Sequence, residues 1–332
     1  MLSRIADSIY WMSRYIERAE NVARFISVNL NLSLDMPGEA GEQWWPLVVT
    51  TGDDKLFRER YSETTKENVV EFLTFDESNP NSILSCLMAA RENARGMREV
   101  ISAEMWEHIN SFYLMLRESD GLGAVLDNAY EFYQRVNLSG QEFLGVTDAT
   151  MTHGEAWQFC QLGRMIERAD KTSRILDVKY FILLPEPTDV GTPYDDIQWL
   201  ALLRSASALE MYRQRHGRIA PENIVDFLVL DQEFPRAVLF CLTRARNSLH
   251  AISGTPPGGF CNVAEQRLGR LQAELAYTHA QEIIATGIHE FVDRLQQRLN
   301  TVGEAIHETF FAMRSLDAPR RKAEQPNEVA VQ

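Results

Sequence analysis

An all-α fold, built as an internally duplicated helical bundle with two pseudo-symmetric halves, is predicted by three observations. Helix breakers are scarce: 18 Gly and 12 Pro in 332 residues fall below the usual ~7% and ~5%. Apolar residues recur at alternating spacings of four and three, while no convincing period-2 strand pattern occurs. Finally, the chain matches itself. Ser13-Arg-Tyr-Ile-Glu-Arg-Ala-Glu-Asn-Val-Ala-Arg24 is repeated as Gly163-Arg-Met-Ile-Glu-Arg-Ala-Asp-Lys-Thr-Ser-Arg174, displaced by 150 residues. At a displacement of 155, Trp44 pairs with Trp199, Glu67 to Leu73 with Glu222 to Leu228, Pro80 with Pro235, Cys86 with Cys241 and Arg91 with Arg246. Ordered matches with a slowly drifting offset are what a tandem duplication leaves, and this period is far too long for a solenoid.

The elements follow in order. A long helix is predicted from near Leu2, its seam Ile5, Ile9, Met12, Ile16, Ala19, Ala23, Ile26 and Leu30 forming the stripe of a bundle helix. Its copy carries Phe159, Leu162, Ile166, Ala169, Ser173, Leu176 and Tyr180. Shorter helices follow, after breaks at Asp35-Met-Pro-Gly38 and from Pro185 to Pro193. Ser78-Asn-Pro80 predicts a capped start for a helix with seam Ile83, Leu87, Ala90, Ala94, Met97 and Ile101. The copy of that helix is expected to start at Pro235 and stop at Ser253-Gly254, and a last long helix to close each half around 120–145 and 286–316. Residues 1–146 and 147–316 are thus expected to be two repeats packed against each other, with 317–332 a flexible tail.

Thirty-three Lys and Arg against 47 Asp and Glu leave a net charge of −14. Such a surface repels polyphosphate backbones, so nucleic acid is not an expected partner. No apolar run approaches the ~20 residues that span a bilayer. Met1 opens into an amphipathic segment without the apolar core of a secretion signal. Cys86, Cys160, Cys241 and Cys261 show no CxxC pairing, and the first three fall among apolar helical positions, as buried thiols of a cytoplasmic protein would.

On a helical wheel the residues Arg14, Glu17, Arg18, Asn21 and Arg24 form one polar stripe beside the apolar seam. Arg14 and Arg18 are an i,i+4 like-charge pair that calls for an anion opposite. The second repeat offers Arg164, Glu167, Arg168, Lys171 and Arg174 in the same places. Two uses are open to these groups. Each Glu could satisfy the other half's Arg in a buried interface, or the pairs could line a polar cleft in which Glu17 or Glu167 acts as a general acid or base. A second cluster, Arg91, Arg95 and Arg98 with Asn93 beside them, predicts an anion-binding stripe that the second repeat lacks, since His250 replaces Arg95. Candidate ligand-binding residues are therefore Arg14, Arg18, Arg24, Arg91, Asn93, Arg95, Arg98 and Arg168. No metal set or cofactor motif is expected; Glu304-Ala-Ile-His307 is one isolated Glu-x-x-His.

The pieces Ser8 to Arg24 and Asn79-Pro-Asn-Ser-Ile-Leu-Ser-Cys-Leu-Met-Ala-Ala-Arg-Glu-Asn-Ala-Arg95 resemble the bacterial alpha-E family, a helical domain named for its Glu-Arg motif. The resemblance runs from residue 1 to about 316 and makes Glu17, Arg18, Arg91, Asn93, Arg95, Glu167 and Arg168 the motif positions. It implies a neighbourhood of circularly permuted ATP-grasp proteins and transglutaminase-like proteins, hence a peptide or amide-bond modification system. In that setting the chain is expected to be a non-catalytic accessory subunit, with an enzyme of the same pathway or a pure scaffold as alternatives. A homodimer is a further candidate assembly.

Overall fold

The computed structural model describes residues 1–35, 44–119, 121–182 and 193–312, and among them it contains sixteen α-helices and no strand. Residues 1–150 give α1 (Ser3–Asp35), α2 (Trp45–Thr51), α3 (Asp54–Arg60), α4 (Lys66–Thr74), α5 (Ile83–Arg95), α6 (Ala103–Arg117), α7 (Gly121–Asp127) and α8 (Ala129–Thr150). Then follow α9 (Glu155–Ile182), α10 (Pro193–Ser205), α11 (Leu209–His216), α12 (Pro221–Val225), α13 (Val238–Ser253), α14 (Val263–Ala276), α15 (Ala280–Thr286) and α16 (Ile288–Ile306). Both α12 and α16 end in a π-helical turn, at Asp226–Leu230 and His307–Phe311.

Two long helices organise the rest. Helix α1 packs on α5 and α8, α9 packs on α13 and α16, and α1 and α9 lie against each other. Links between the two sets are also made by α10 on α1 and α2 on α9. The apolar seams explain this placement, because Ile9, Met12, Ile16, Ala19, Ala23 and Ile26 on α1 are all buried, as are Phe159, Leu162, Ile166, Ala169 and Leu176 on α9. Helices α1 and α9 approach closely at Gly163. A Cβ there would lie 2.3 Å from the Tyr10 carbonyl oxygen and 2.7 Å from Ser13 Oγ. Ser13 Oγ uses the gap to donate a 2.7 Å hydrogen bond to the Cys160 carbonyl. Small residues at this point, Ser13 on one helix and Gly163 on the other, let two backbones meet closely enough for longer side chains to interlock on either side.

Several predicted boundaries move, each for a local reason. Helix α5 begins at Ile83, not at Pro80, because the Ser82 hydroxyl caps it by accepting from Ser85 N at 3.1 Å. It ends at Arg95, where Gly96 N bonds back to the carbonyls of Glu92 and Asn93, so Met97 and Ile101 are buried from outside the helix. Helix α13 likewise starts at Val238, three residues after Pro235, and closes on Gly254 at φ +69°. The long helix expected over 120–145 is divided at Asn128, and that over 286–316 starts after Gly287 (φ +98°) and gives way to the π turn at His307. Two substantial helices, α6 and α14, were not anticipated; each is capped by its preceding residue, Ser102 onto Met105 N and Asn262 onto Glu265 N. The predicted breaks at 36–38 and 185–192 and the tail at 317–332 lie outside the described residues.

Candidate functional site: a buried Glu–Arg clamp

The paired Glu-Arg motifs face each other where α1 and α9 pack, and each carboxylate takes its guanidinium from the other helix. Glu17 on α1 accepts a bidentate pair from Arg168 on α9, Nε to Oε1 at 2.8 Å and Nη2 to Oε2 at 2.7 Å. Glu167 on α9 accepts the reciprocal pair from Arg18, Nε to Oε1 at 2.7 Å and Nη2 to Oε2 at 3.0 Å. Fork-to-fork geometry of this kind is the strongest form of charge-assisted hydrogen bond. Both carboxylates are closed off, Glu17 at 2% and Glu167 at 0% exposure.

Around this crossed core the two ends differ. Arg14 Nε adds a 2.7 Å bond to Glu167 Oε2, and Lys171 Nζ stands 3.7 Å from its Oε1. Arg14 also lies over the Trp11 ring at 4.7 Å and donates to the Tyr10 hydroxyl. Glu17 is served instead by Arg236, which donates Nη1 to Glu17 Oε1 at 3.1 Å and Nη2 to Glu20 Oε1 at 2.7 Å. Asn21 Nδ2 completes that end with a 3.0 Å bond to Glu17 Oε1. Arg236 was not anticipated. The sequence signal is its place directly after Pro235, where Asn81 stands after the matching Pro80; Asn81 accepts from Arg18 Nη1 at 2.6 Å and donates to Asp53.

The electrostatics follow from this arrangement. Burial alone would raise both carboxyls, yet Arg168 and Arg236 hold Glu17, and Arg18, Arg14 and Lys171 hold Glu167, far below the usual carboxylate range. Burial works against the charge of Arg18 and Arg168 too, but the facing carboxylate raises each well above the ordinary guanidinium value. Arg24 is buried and paired with Glu20. Desolvation, with Arg236 close by, brings it down to about 10. The nearby thiols are inert: burial pushes Cys86 and Cys241 up to about 12 and Cys160 to about 11. Cys261 alone of the four is exposed.

The second predicted cluster sits apart from the clamp, at α5 and α6. Because α5 stops at Arg95, Arg98 falls in the turn beyond it and the three-arginine helical stripe is not formed. Arg91 Nε donates to Asn110 Oδ1 at 2.7 Å and the guanidinium lies over Tyr113. Arg98 lies over Trp106 at 4.9 Å. Arg95 is 65% exposed and pairs with Glu92, while Asn93 is half-buried. Among the described residues no group of three His, Cys, Asp or Glu is placed to hold a metal ion, and no helix is long and apolar enough to cross a membrane.

Comparison with known proteins places this geometry. An uncharacterised protein of Mycobacterium bovis and uncharacterised proteins of two Mycobacterium tuberculosis strains are each 22% identical over 307 residues, covering 84% of this chain. The match takes in 33% of each relative, so the chain spans about a third of their length. No solved structure matches. The model of the Alpha-E family, a predicted alpha-helical domain with a conserved ER motif, matches residues 1–311, and the clamp is assembled from the chain's two Ile-Glu-Arg-Ala segments. The chain belongs to the Alpha-E family.

Proposed function

We propose that this chain is a non-catalytic helical accessory subunit of an ATP-grasp amide ligase system, built from two homologous halves that the Glu–Arg clamp locks into one body. The observation that carries the proposal is the saturation of both motif carboxylates. A general acid must hold a proton near working pH, and a general base must reach its substrate. Glu17 and Glu167 are held ionised, are buried, and have their oxygens occupied by guanidinium groups from the opposite helix. Such groups set the packing of α1 on α9 and leave recognition to arginines around them.

The reciprocity of the pairs, Glu17 with Arg168 and Arg18 with Glu167, supports descent of the two halves from one repeat, as does the succession of eight described helices followed by eight, although α8 runs to Thr150 and so moves the division past the expected 146/147. The ligase partnership is supported by the family resemblance of the Glu-Arg pieces. A module that works beside other polypeptide also accords with relatives three times as long. Free thiols at all four cysteines suit a reducing cytoplasm.

The test is co-purification of the untagged chain with the ATP-grasp protein encoded beside it, followed by a ligase assay with and without the chain. A complex on which ligase activity depends is the expected result. Full ligase activity without the chain and no complex overturns the proposal, and so does turnover of the pathway substrate by the purified chain alone.

A further inference from the structure

A cavity of about 430 Å³ lies beside the Glu17 end of the clamp, between α9, α13 and the end of α8. Its cations are Arg164, Arg168 and Arg244, and its one acidic side chain is Asp148. Arg168 is already neutralised by Glu17. Arg164 is different. It occupies the place that Arg14 has on α1, yet it makes no bond to Glu17, whose Oε2 receives Arg168 and whose Oε1 receives Arg168, Arg236 and Asn21. Among the described residues its only hydrogen-bond partner is the Gln161 side-chain oxygen, its buried Nε has no acceptor, and no carboxylate lies within 4 Å of it. Burial and the adjacent Arg168 both push its guanidinium below the ordinary value, so the charge is held at a cost that an anion would relieve. Arg244 also lacks an acidic partner among the described residues and lies 5.2 Å over the Phe240 ring. With Asp148 set against the two free guanidinium groups, one positive charge is left over.

The remaining lining fits an organic body carrying that anion. Trp157, Met165, Pro235 and Phe240 give apolar walls. Trp157 Nε1 is a buried donor with no acceptor, while Asn247 and Ser248 supply polar groups on the α13 side. A mostly apolar cleft with a few convergent donors is the usual form of a small-molecule site. From this juxtaposition we infer that the cavity binds a monoanionic carboxylate on an amide-bearing body, such as a peptide carboxyl group, held by Arg164 and Arg244. Asp148 disfavours a dianionic phosphate here. The site does not depend on the ligase partnership, since it is a property of the isolated chain.

The experiment is calorimetric titration and thermal shift of the full chain with N-acetyl-leucine, N-acetyl-leucine amide and inorganic phosphate. The expected result is binding of the carboxylate with a raised melting temperature, and none for the neutral amide. Arg244→Ala, which alters an exposed side chain, and Arg164→Gln should each weaken carboxylate binding by about tenfold or more, the loss of one charged hydrogen bond. Arg14→Gln, at the matched position on the paired end, should leave it intact. Equal response to acid and amide, response to phosphate alone, or unchanged binding in folded Arg244→Ala overturns the inference.

Discussion

The two ends of the clamp carry the same Arg-x-x-Glu-Arg spacing, Arg14 to Arg18 and Arg164 to Arg168, and complete it differently. At the Glu167 end, both arginines of the α1 stripe, Arg14 and Arg18, converge on one carboxylate with Lys171 behind it. At the Glu17 end only Arg168 of the α9 stripe engages, and Arg236 arrives from the segment preceding α13 to bond Glu17 Oε1. Arg236 stands after Pro235 where Asn81 follows Pro80, Lys171 stands where α1 has Asn21, and Arg164 makes no bond to Glu17 of the kind that Arg14 makes to Glu167. One end is closed by ion pairs drawn from the two long helices; the other keeps a half-buried cation, its Nε buried, lining a cavity. Two nearly identical motifs can thus be completed by different neighbours, one of them leaving a guanidinium without a carboxylate.

The largest effect should come from removing either carboxylate. Glu167→Gln strands Arg14, Arg18 and Lys171 in the interior, and Glu17→Gln strands Arg168 and Arg236. Breaking a buried pair by deleting one partner costs about 3–5 kcal/mol, and denaturant unfolding should show both losses. A markedly milder loss at Glu17 would mean that Arg236 can turn to Glu20 alone. The pH dependence has a definite sign. Both carboxyls titrate lower in the folded chain than their ordinary 4.5, so their contribution is complete above that value and disappears as pH falls below it toward the folded value. The acid loss should be shallower in Glu17→Gln than in the parent chain, since one of the groups that drives it is gone.

Next in size is the crossing point that holds both ends in register. Gly163→Ala introduces a methyl 2.3 Å from the Tyr10 carbonyl oxygen, which is backbone and cannot turn aside. The cost should reach the upper part of the overpacking range, about 3 kcal/mol. Gly145→Ala makes an internal control: it lies within α8 with open space around it and should stabilise by about 0.5–1 kcal/mol. Thermal unfolding of the two variants separates close helix approach from helix propensity.

Much of this architecture was legible because the residues that make it recur. The α1 and α9 seams, the polar stripe beside them and the burial of Cys86, Cys160 and Cys241 all follow from helical spacing, and they stand in the structure. A wheel assigns a sector but not a partner, so it left open whether Glu17 faces a cleft or Arg168. Arg98 was misplaced because Gly96 ends α5 two residues too early for the i,i+3 spacing to matter. Helices α6 and α14 escaped notice although Ser102 and Asn262 were available as caps. Arg236 is marked in the sequence by a mismatch, an arginine after Pro235 where an asparagine follows the matching Pro80.

The smallest effects test the comparison most directly, because they set two matched arginines against each other. Arg14→Gln removes one charged hydrogen bond from Glu167 while Arg18 and Lys171 remain, and should cost about 1.5 kcal/mol. Arg164→Gln removes a guanidinium with no carboxylate partner, relieves repulsion against Arg168, and leaves the Glu17 pairs untouched. Replacing a half-buried charge that no carboxylate compensates should be neutral or stabilising, within about 1 kcal/mol of the parent. Chemical denaturation of the two single variants gives the two numbers, and the sign of their difference is the point: a chain that used its arginines symmetrically would lose equal stability at both positions. If Arg164→Gln instead destabilised as much as Arg14→Gln, Arg164 would be a structural member of the clamp and the asymmetry between its ends would carry no functional meaning. If it stabilised the chain while Arg14→Gln weakened it, then a strained cation is being kept at a cost to folding, which is the signature of a residue retained for binding.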